Sequence, residues 1–240
     1  MREERRATLL AVADGVGGEA GGEVASAAAV EALARRFFAV KDGSRSDALA
    51  VAMREANDAV LASANESGHR GAATTLVAAA IAGHDAVIGN LGDSRAYLIR
   101  RGAVRRVTED HAGAYPSSIT RFAGDPRGVQ PDVFVETLEP GDRLLLCSDG
   151  LTRHVSEEEI AARAKSGDLA RTVDGLVDLA NARGGEDNVT VVLYAARGRG
   201  ILAEAARALT NAILALLLAA VIGGAVGAIV FASGVLVSAP

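Results

Sequence analysis

Three turns in this 240-residue chain repeat one design: an apolar run meets an aspartate followed by glycine or asparagine, and the chain turns away. They are Leu9–Ala13 into Asp14-Gly15, Leu144–Ser148 into Asp149-Gly150, and Gly184–Glu186 into Asp187-Asn188 beside Val189. A carboxylate at a strand end sits on a rigid stem at the rim of a sheet. Three such carboxylates brought together repel one another unless a cation lies between them. Magnesium or manganese suits an all-oxygen set completed by water. Glycine after the aspartate lets a backbone carbonyl approach the ion as well. Each dipeptide alone is ordinary turn punctuation. The repetition makes Asp14, Asp149 and Asp187 candidate ligands of a site that hydrolyses phosphate esters.

The rest of the composition narrows the metal and the partners. The formal net charge is −5, which disfavours a nucleic-acid surface, since that needs a basic stripe. Cys147 is the single cysteine, so no internal disulfide forms. His69, His84, His111 and His154 are scattered, without the spacing of a zinc site. A hard cation held by oxygen remains. His111 and Cys147 read as structural, the latter as a small apolar strand residue.

Periodicity gives the order of elements. Leu9–Ala13 reads as a strand, Glu19–Val40 as a helix, and a second helix follows a cap at Ser46. Thr74–Ala82, Ala86–Asn90, Arg95–Arg100, Val104–Val107, Val133–Leu138 and Arg143–Ser148 read as strands, with Arg101-Gly102 as a hairpin turn. Ser156 and Glu159 form a capping box for a helix over 156–165, and Leu169–Ala182 is a further helix before the strand Val189–Tyr194. Helices, a block of strands, helices and a last strand predict an α+β fold with antiparallel pairing. Gly15–Ala20 also fits the G-x-G-x-x-A form of a dinucleotide loop. The acidic Asp14 and Glu19 around it, and the lack of βαβ alternation, argue against that reading.

Ala208–Pro240 carries no charge, and Ile213–Val237 is apolar apart from glycines and Ser233. As a helix it spans about 37 Å at 1.5 Å per residue, which predicts one transmembrane helix over 213–237 after a juxtamembrane linker, 197–212. Arg197, Arg199 and Arg207 precede it, so the positive-inside rule predicts a single-pass protein of the cell membrane with residues 1–210, the catalytic domain among them, in the cytoplasm. Gly223 and Gly227 would allow a helix-mediated dimer.

The turns sit within a longer pattern. Ala13–Gly18 with Ala20-Gly21 and Ala25-Ser26, Thr74-Thr75-Leu76, Gly89–Tyr97, Thr108–His111, Ile119–Arg121, Ser148–Leu151 and Glu186–Thr190 follow one another along the chain. In that order they resemble the motifs of bacterial type-2C metal-dependent Ser/Thr protein phosphatases, over Leu9 to about Tyr194. The resemblance implies a four-layer α-β-β-α sandwich of two antiparallel sheets flanked by helices, with metals in a cleft at one end. It implies two ions, Mn²⁺ or Mg²⁺, and a third, weaker one. Asp14 then bridges the two, the Gly15 carbonyl binds one, Asp149 and Asp187 hold the other, and Asp110 faces the third. The implied reaction is hydrolysis of phosphoserine and phosphothreonine in proteins by metal-activated water, without a phosphoenzyme. Phosphorylated proteins and a cognate Ser/Thr kinase are the implied partners. Asp93 and Arg95 of the central motif read as structural.

Two departures qualify the pattern. The family opens with an arginine and then an Asn-Glu-Asp element well before the first Asp-Gly; the 13 residues before Asp14 hold no such element. The expectation is therefore an N-terminally truncated domain, 1–196, with one complete metal site and half of a second. The alternative is a catalytically impaired module that binds phosphopeptides or partners at the membrane. The span between His111 and Thr120 is also short, predicting a small flap over the cleft.

Overall fold

In the computed structural model, which describes residues 7–16, 19–113, 118–196, 229–232 and 235–238, the strand Leu76–Ala82 is buried on both faces. Alternation along it assigns each face a neighbour. Ala78 and Ala80 join Leu33, Leu49 and Met53, whereas Val77, Ala79 and Ile81 join Leu98, Leu144 and Leu146. The first set belongs to two helices, α1 (Glu19–Ala39) and α2 (Arg45–Glu66). The second belongs to another sheet.

The first sheet has the order β1-β4-β5-β8, with β1 Thr8–Val12, β4 Leu76–Ala82, β5 Asp85–Leu91 and β8 Asp132–Thr137. The second has the order β10-β9-β6-β7, with β6 Arg95–Arg100, β7 Ala103–Arg106, β9 Arg143–Cys147 and β10 Val191–Ala195. All of these pairs are antiparallel. A short pair, β2 (Gly15–Val16) with β3 (Ala73–Thr74), lies beside the first Asp-Gly turn. On the outer face of the second sheet, Tyr97, Leu145 and Cys147 pack on Ile160 and Leu176. These come from α4 (Glu157–Ala164) and α5 (Leu169–Ala182), which follow the single turn α3 (Asp149–Thr152). The layers run helix, sheet, sheet, helix, as expected. Small residues let them close: a Cβ on Gly89 would run into the Met53 sulfur.

Local chemistry explains the shifts from the sequence reading. α2 is capped by Ser44, not Ser46, because Ser44 and Asp47 form a reciprocal capping box. The strand read as Thr74–Ala82 breaks at Thr75, whose hydroxyl is committed to Asp14. Arg101 and Gly102 both adopt positive φ, 52° and 84°, as a two-residue hairpin turn requires. Cys147 is buried, which pushes its thiol up to about 12.

Residues 197–240 form a separate unit. The predicted linker 197–212 and residues 213–228 of the predicted helix lie outside the described residues. Within the remainder, β11 (Ile229–Ala232) pairs antiparallel with β12 (Val235–Ser238). That segment is therefore a hairpin and not the end of a helix. β-Branched and aromatic residues on either side of Ser233-Gly234 favour this outcome. Among the described residues no helix is long and apolar enough to cross a membrane.

Candidate metal centre

The cleft is built around the backbone of Asp14. Thr75 N–H and Thr74 Oγ1 both donate to the Asp14 carbonyl at 2.9 Å, and Asp14 N–H donates to Thr75 Oγ1 at 3.0 Å. Having accepted that bond, the Thr75 hydroxyl is free to donate to Ser94 Oγ, 2.7 Å away. Asp14 is thereby tied to the turn that carries Asp93. Gly15 must be glycine, since a Cβ there would collide with the Gly22 carbonyl. The dinucleotide reading fails on topology: the strand before this turn, β1, pairs antiparallel with β4, where a dinucleotide loop needs a parallel βαβ unit.

The other two aspartates are strapped together. Ser148 Oγ accepts from Thr190 N–H at 3.0 Å and donates to the Asn188 carbonyl at 3.1 Å. Ser148 N–H donates to the Thr190 carbonyl at 3.1 Å. Gly150 lies so close to Asn188 that a Cβ would strike its carbonyl oxygen. Asp149 opens α3, whereas Asp187 lies between α5 and β10. Asp187 thus precedes a strand, where the sequence reading had one running into it.

Asp14, Asp149, Asp187 and Gly15 line one cleft of about 490 Å³, and Asp93 joins them. Val16, Ala73, Thr75, Ile119 and Phe122 form its other walls, and Arg153 is the lining cation. Crowding is electrostatically costly: burial first, then the Asp149 and Asp187 charges, push the Asp14 carboxyl up to about 7. Burial and Asp149 also raise Asp93. Arg153 relieves part of this, hydrogen bonding to Asp149 with one terminal nitrogen and placing the other 3.3 Å from Asp187.

The donor set fits a divalent cation. It is all oxygen, it carries excess negative charge, and Asp149 Oδ1 is buried with no hydrogen-bond partner. Among the described residues, however, no three His, Cys, Asp or Glu side chains close on a single point. Arg153 contacts the Oδ2 atoms of both Asp149 and Asp187.

Asp110 is placed differently. It does not line the cleft; Arg95 and Arg106 hold its carboxylate. Two further residues brace the loops around the site: His111, read as structural from the sequence, and Asn57, which that reading missed. His111 Nδ1 accepts from Gly92 N–H at 3.1 Å, so Nε2 carries the proton and faces Asp132 Oδ2 at 2.9 Å. Asn57, buried in α2, accepts from the Gly124 and Asp125 N–H groups at 2.8 Å each. It pins the segment that brings Phe122 to the cleft. Asn57 interrupts an otherwise apolar helix face, which was the available signal.

Residues 1–193 match the family model described as protein phosphatase 2C. The chain is 37% identical over 205 residues to the serine/threonine protein phosphatase PstP of Mycobacterium tuberculosis, covering 78% of this chain and 40% of that protein's length. It is 36% identical over 209 residues to the serine/threonine phosphatase stp of Listeria monocytogenes, covering 77% of this chain and 83% of that one. Among solved structures, the catalytic domain of PstP in complex with two manganese ions superposes with a TM-score of 0.69 at 36% identity, covering 77% of this chain and 86% of that chain. The chain belongs to the protein phosphatase 2C family. It spans less than half the length of the mycobacterial phosphatase that it matches.

Proposed function

We propose that this protein hydrolyses phosphoserine and phosphothreonine in other proteins, using Mn²⁺ or Mg²⁺ held by Asp14, Asp149, Asp187 and the Gly15 carbonyl. The observation that carries the reading is the meeting of three turn aspartates in one cleft, with a buried Asp149 oxygen left without a partner. The two manganese ions of the PstP catalytic domain support the choice of metal. When bound, such ions lower the pKa of water and polarise phosphoryl oxygens. The protein's own part is to hold the carboxylates rigidly, through Thr74, Thr75 and Ser148, and to supply an apolar wall in Val16, Ile119 and Phe122. The names of the relatives support phosphoproteins as substrates and, by implication, an opposing Ser/Thr kinase.

The test is release of phosphate from phosphothreonine peptides by the metal-free protein titrated with Mn²⁺. Turnover that follows Mn²⁺ supports the reading. Phosphopeptide binding with no turnover at saturating Mn²⁺ would replace it with the binding-module alternative.

Attachment to a membrane is a second part of the proposal, resting on the uncharged stretch Ala208–Pro240. With the hairpin at 229–238, residues 213–228 as a helix would reach only about 24 Å, short of the roughly 30 Å hydrocarbon core. Attachment by partial insertion fits these lengths better than a full span. Fractionation with and without residues 208–240 tests it: a shift from the membrane to the soluble fraction on deletion is the expected result.

A further inference from the structure

The cleft just described is a poor place for a phosphate. Asp14, Asp93, Asp149 and Asp187 all face it, and each repels a phosphate monoester dianion. Arg153 is the cation among the residues that line it. Its backbone is fixed, because its N–H donates to the Asp149 carbonyl at 2.9 Å and α3 is clamped on Asn188 through Gly150. Its side chain is not fixed in the same way: it is 42% exposed, and among the described residues its head is held by the two carboxylates.

We propose that Arg153 grips the phosphate group of the substrate, and that its ion pairs with Asp149 and Asp187 are the alternative partners it leaves to do so. This rests on the phosphatase reading of the cleft. Two features support it. The guanidinium is a planar fork whose terminal nitrogens address two oxygens at once, a geometry that suits phosphate as well as it suits two carboxylates. The carboxylates that Arg153 now engages, through Oδ2 of Asp149 and Oδ2 of Asp187, are also those assigned to a cation. Whatever occupies those carboxylates leaves an arginine anchored at the cleft, with its donors unmatched and its charge uncompensated. A phosphate entering beside it is the ligand that satisfies both. Arg153 therefore competes with metal and cooperates with substrate.

The experiment uses the full chain and two variants, Arg153→Met, which keeps the stem and deletes the charge and donors, and Arg153→Lys, which keeps the charge without the fork. Calorimetry first measures Mn²⁺ binding to each metal-free protein, then inorganic phosphate binding to each Mn²⁺-loaded protein. Arg153→Met is expected to bind Mn²⁺ at least as tightly as the wild type. It should bind phosphate about tenfold more weakly or worse, the scale of a lost charge-assisted hydrogen bond. Arg153→Lys should fall between the two. With peptide substrate, KM should rise more than kcat falls. Unchanged phosphate affinity in Arg153→Met overturns the proposal. So does a loss of phosphate affinity matched by an equal loss of Mn²⁺ binding, since Arg153 would then act only through the carboxylates. Wild-type protein that binds phosphate but turns over no peptide would sink the phosphatase reading and leave the role of Arg153 standing.

Discussion

Arg95 holds the carboxylate of Asp110 edge-on, with Nε 3.0 and 3.1 Å from its two oxygens and Nη2 2.7 Å from Oδ2. Both side chains are largely buried, and Arg95 also donates to the Tyr97 hydroxyl at 3.2 Å. The hydrogen bonds that Arg95 donates to Asp110 hold the guanidinium pKa above its ordinary value despite burial. This pair joins the central motif on β6 to the Thr108–His111 segment.

A structural Asp110 and a metal-binding Asp110 predict different things. Asp110→Asn leaves a half-buried guanidinium without its countercharge, so it is expected to cost about 2 kcal/mol in urea unfolding of the metal-free protein. The Mn²⁺ concentration for half-maximal activity should stay at the wild-type value. A variant of unchanged stability that needs more Mn²⁺ would return Asp110 to the metal ligands.

The hydroxyl of Thr75 is the acceptor for the backbone N–H of Asp14. Thr75→Val keeps the shape and removes the acceptor, leaving that partly buried N–H without its bond. A loss of about 1–3 kcal/mol in stability is expected. Thr75→Ser, which restores the oxygen, should recover most of it. If Thr75→Val unfolds at the wild-type urea concentration, the Thr75–Asp14 bond does not support the turn.

Gly150 sets how closely the Asp149 and Asp187 turns approach. In Gly150→Ala the new methyl meets backbone at Asn188, so the two turns must move apart. Displacement of catalytic groups by about 1 Å costs on the order of 100-fold in rate, and that is the expected loss in kcat/KM with Mn²⁺ present. Mn²⁺ calorimetry should show weakened binding in parallel. Wild-type kinetics would mean that the turns tolerate spreading.

How much of this was legible in the sequence depends on the range of each interaction. The layers were legible because a continuous apolar run such as Leu76–Ala82 marks a strand buried on both faces, and helical spacing marks the helices that cover it. The cleft aspartates Asp14, Asp149 and Asp187 were legible because each sits in a short turn next to an apolar run. Arg153 was not legible as a cleft residue. Nothing local distinguishes it from other arginines, and its partner Asp187 is brought to it only by the pairing of β9 with β10. Asn57 was hidden for the same reason, since its partners Gly124 and Asp125 lie far along the chain. The hairpin at 229–238 was missed because a uniformly apolar stretch carries no period, leaving β-branched content and Ser233-Gly234 as the only local signs of strand.

Asp14 gives the metal-free protein a pH dependence whose sign can be worked out. Its carboxyl stands at about 7 in the folded protein against an ordinary 3.8. The folded state therefore binds more protons than the unfolded state between about pH 4 and pH 7. The contribution of this group to stability is fully present below about pH 4, falls as pH rises through that window, and levels off above about 7. Asp14→Asn cannot ionise and escapes this loss. In EDTA its melting temperature, measured from pH 5 to pH 8, should gain on the wild type as pH rises, with most of the gain reached by about pH 7. Saturating Mn²⁺ should reverse the order, because the wild type then binds a stabilising ligand through Asp14 that the variant holds poorly. A wild-type advantage in EDTA at pH 8 would show that Arg153 alone neutralises the cluster.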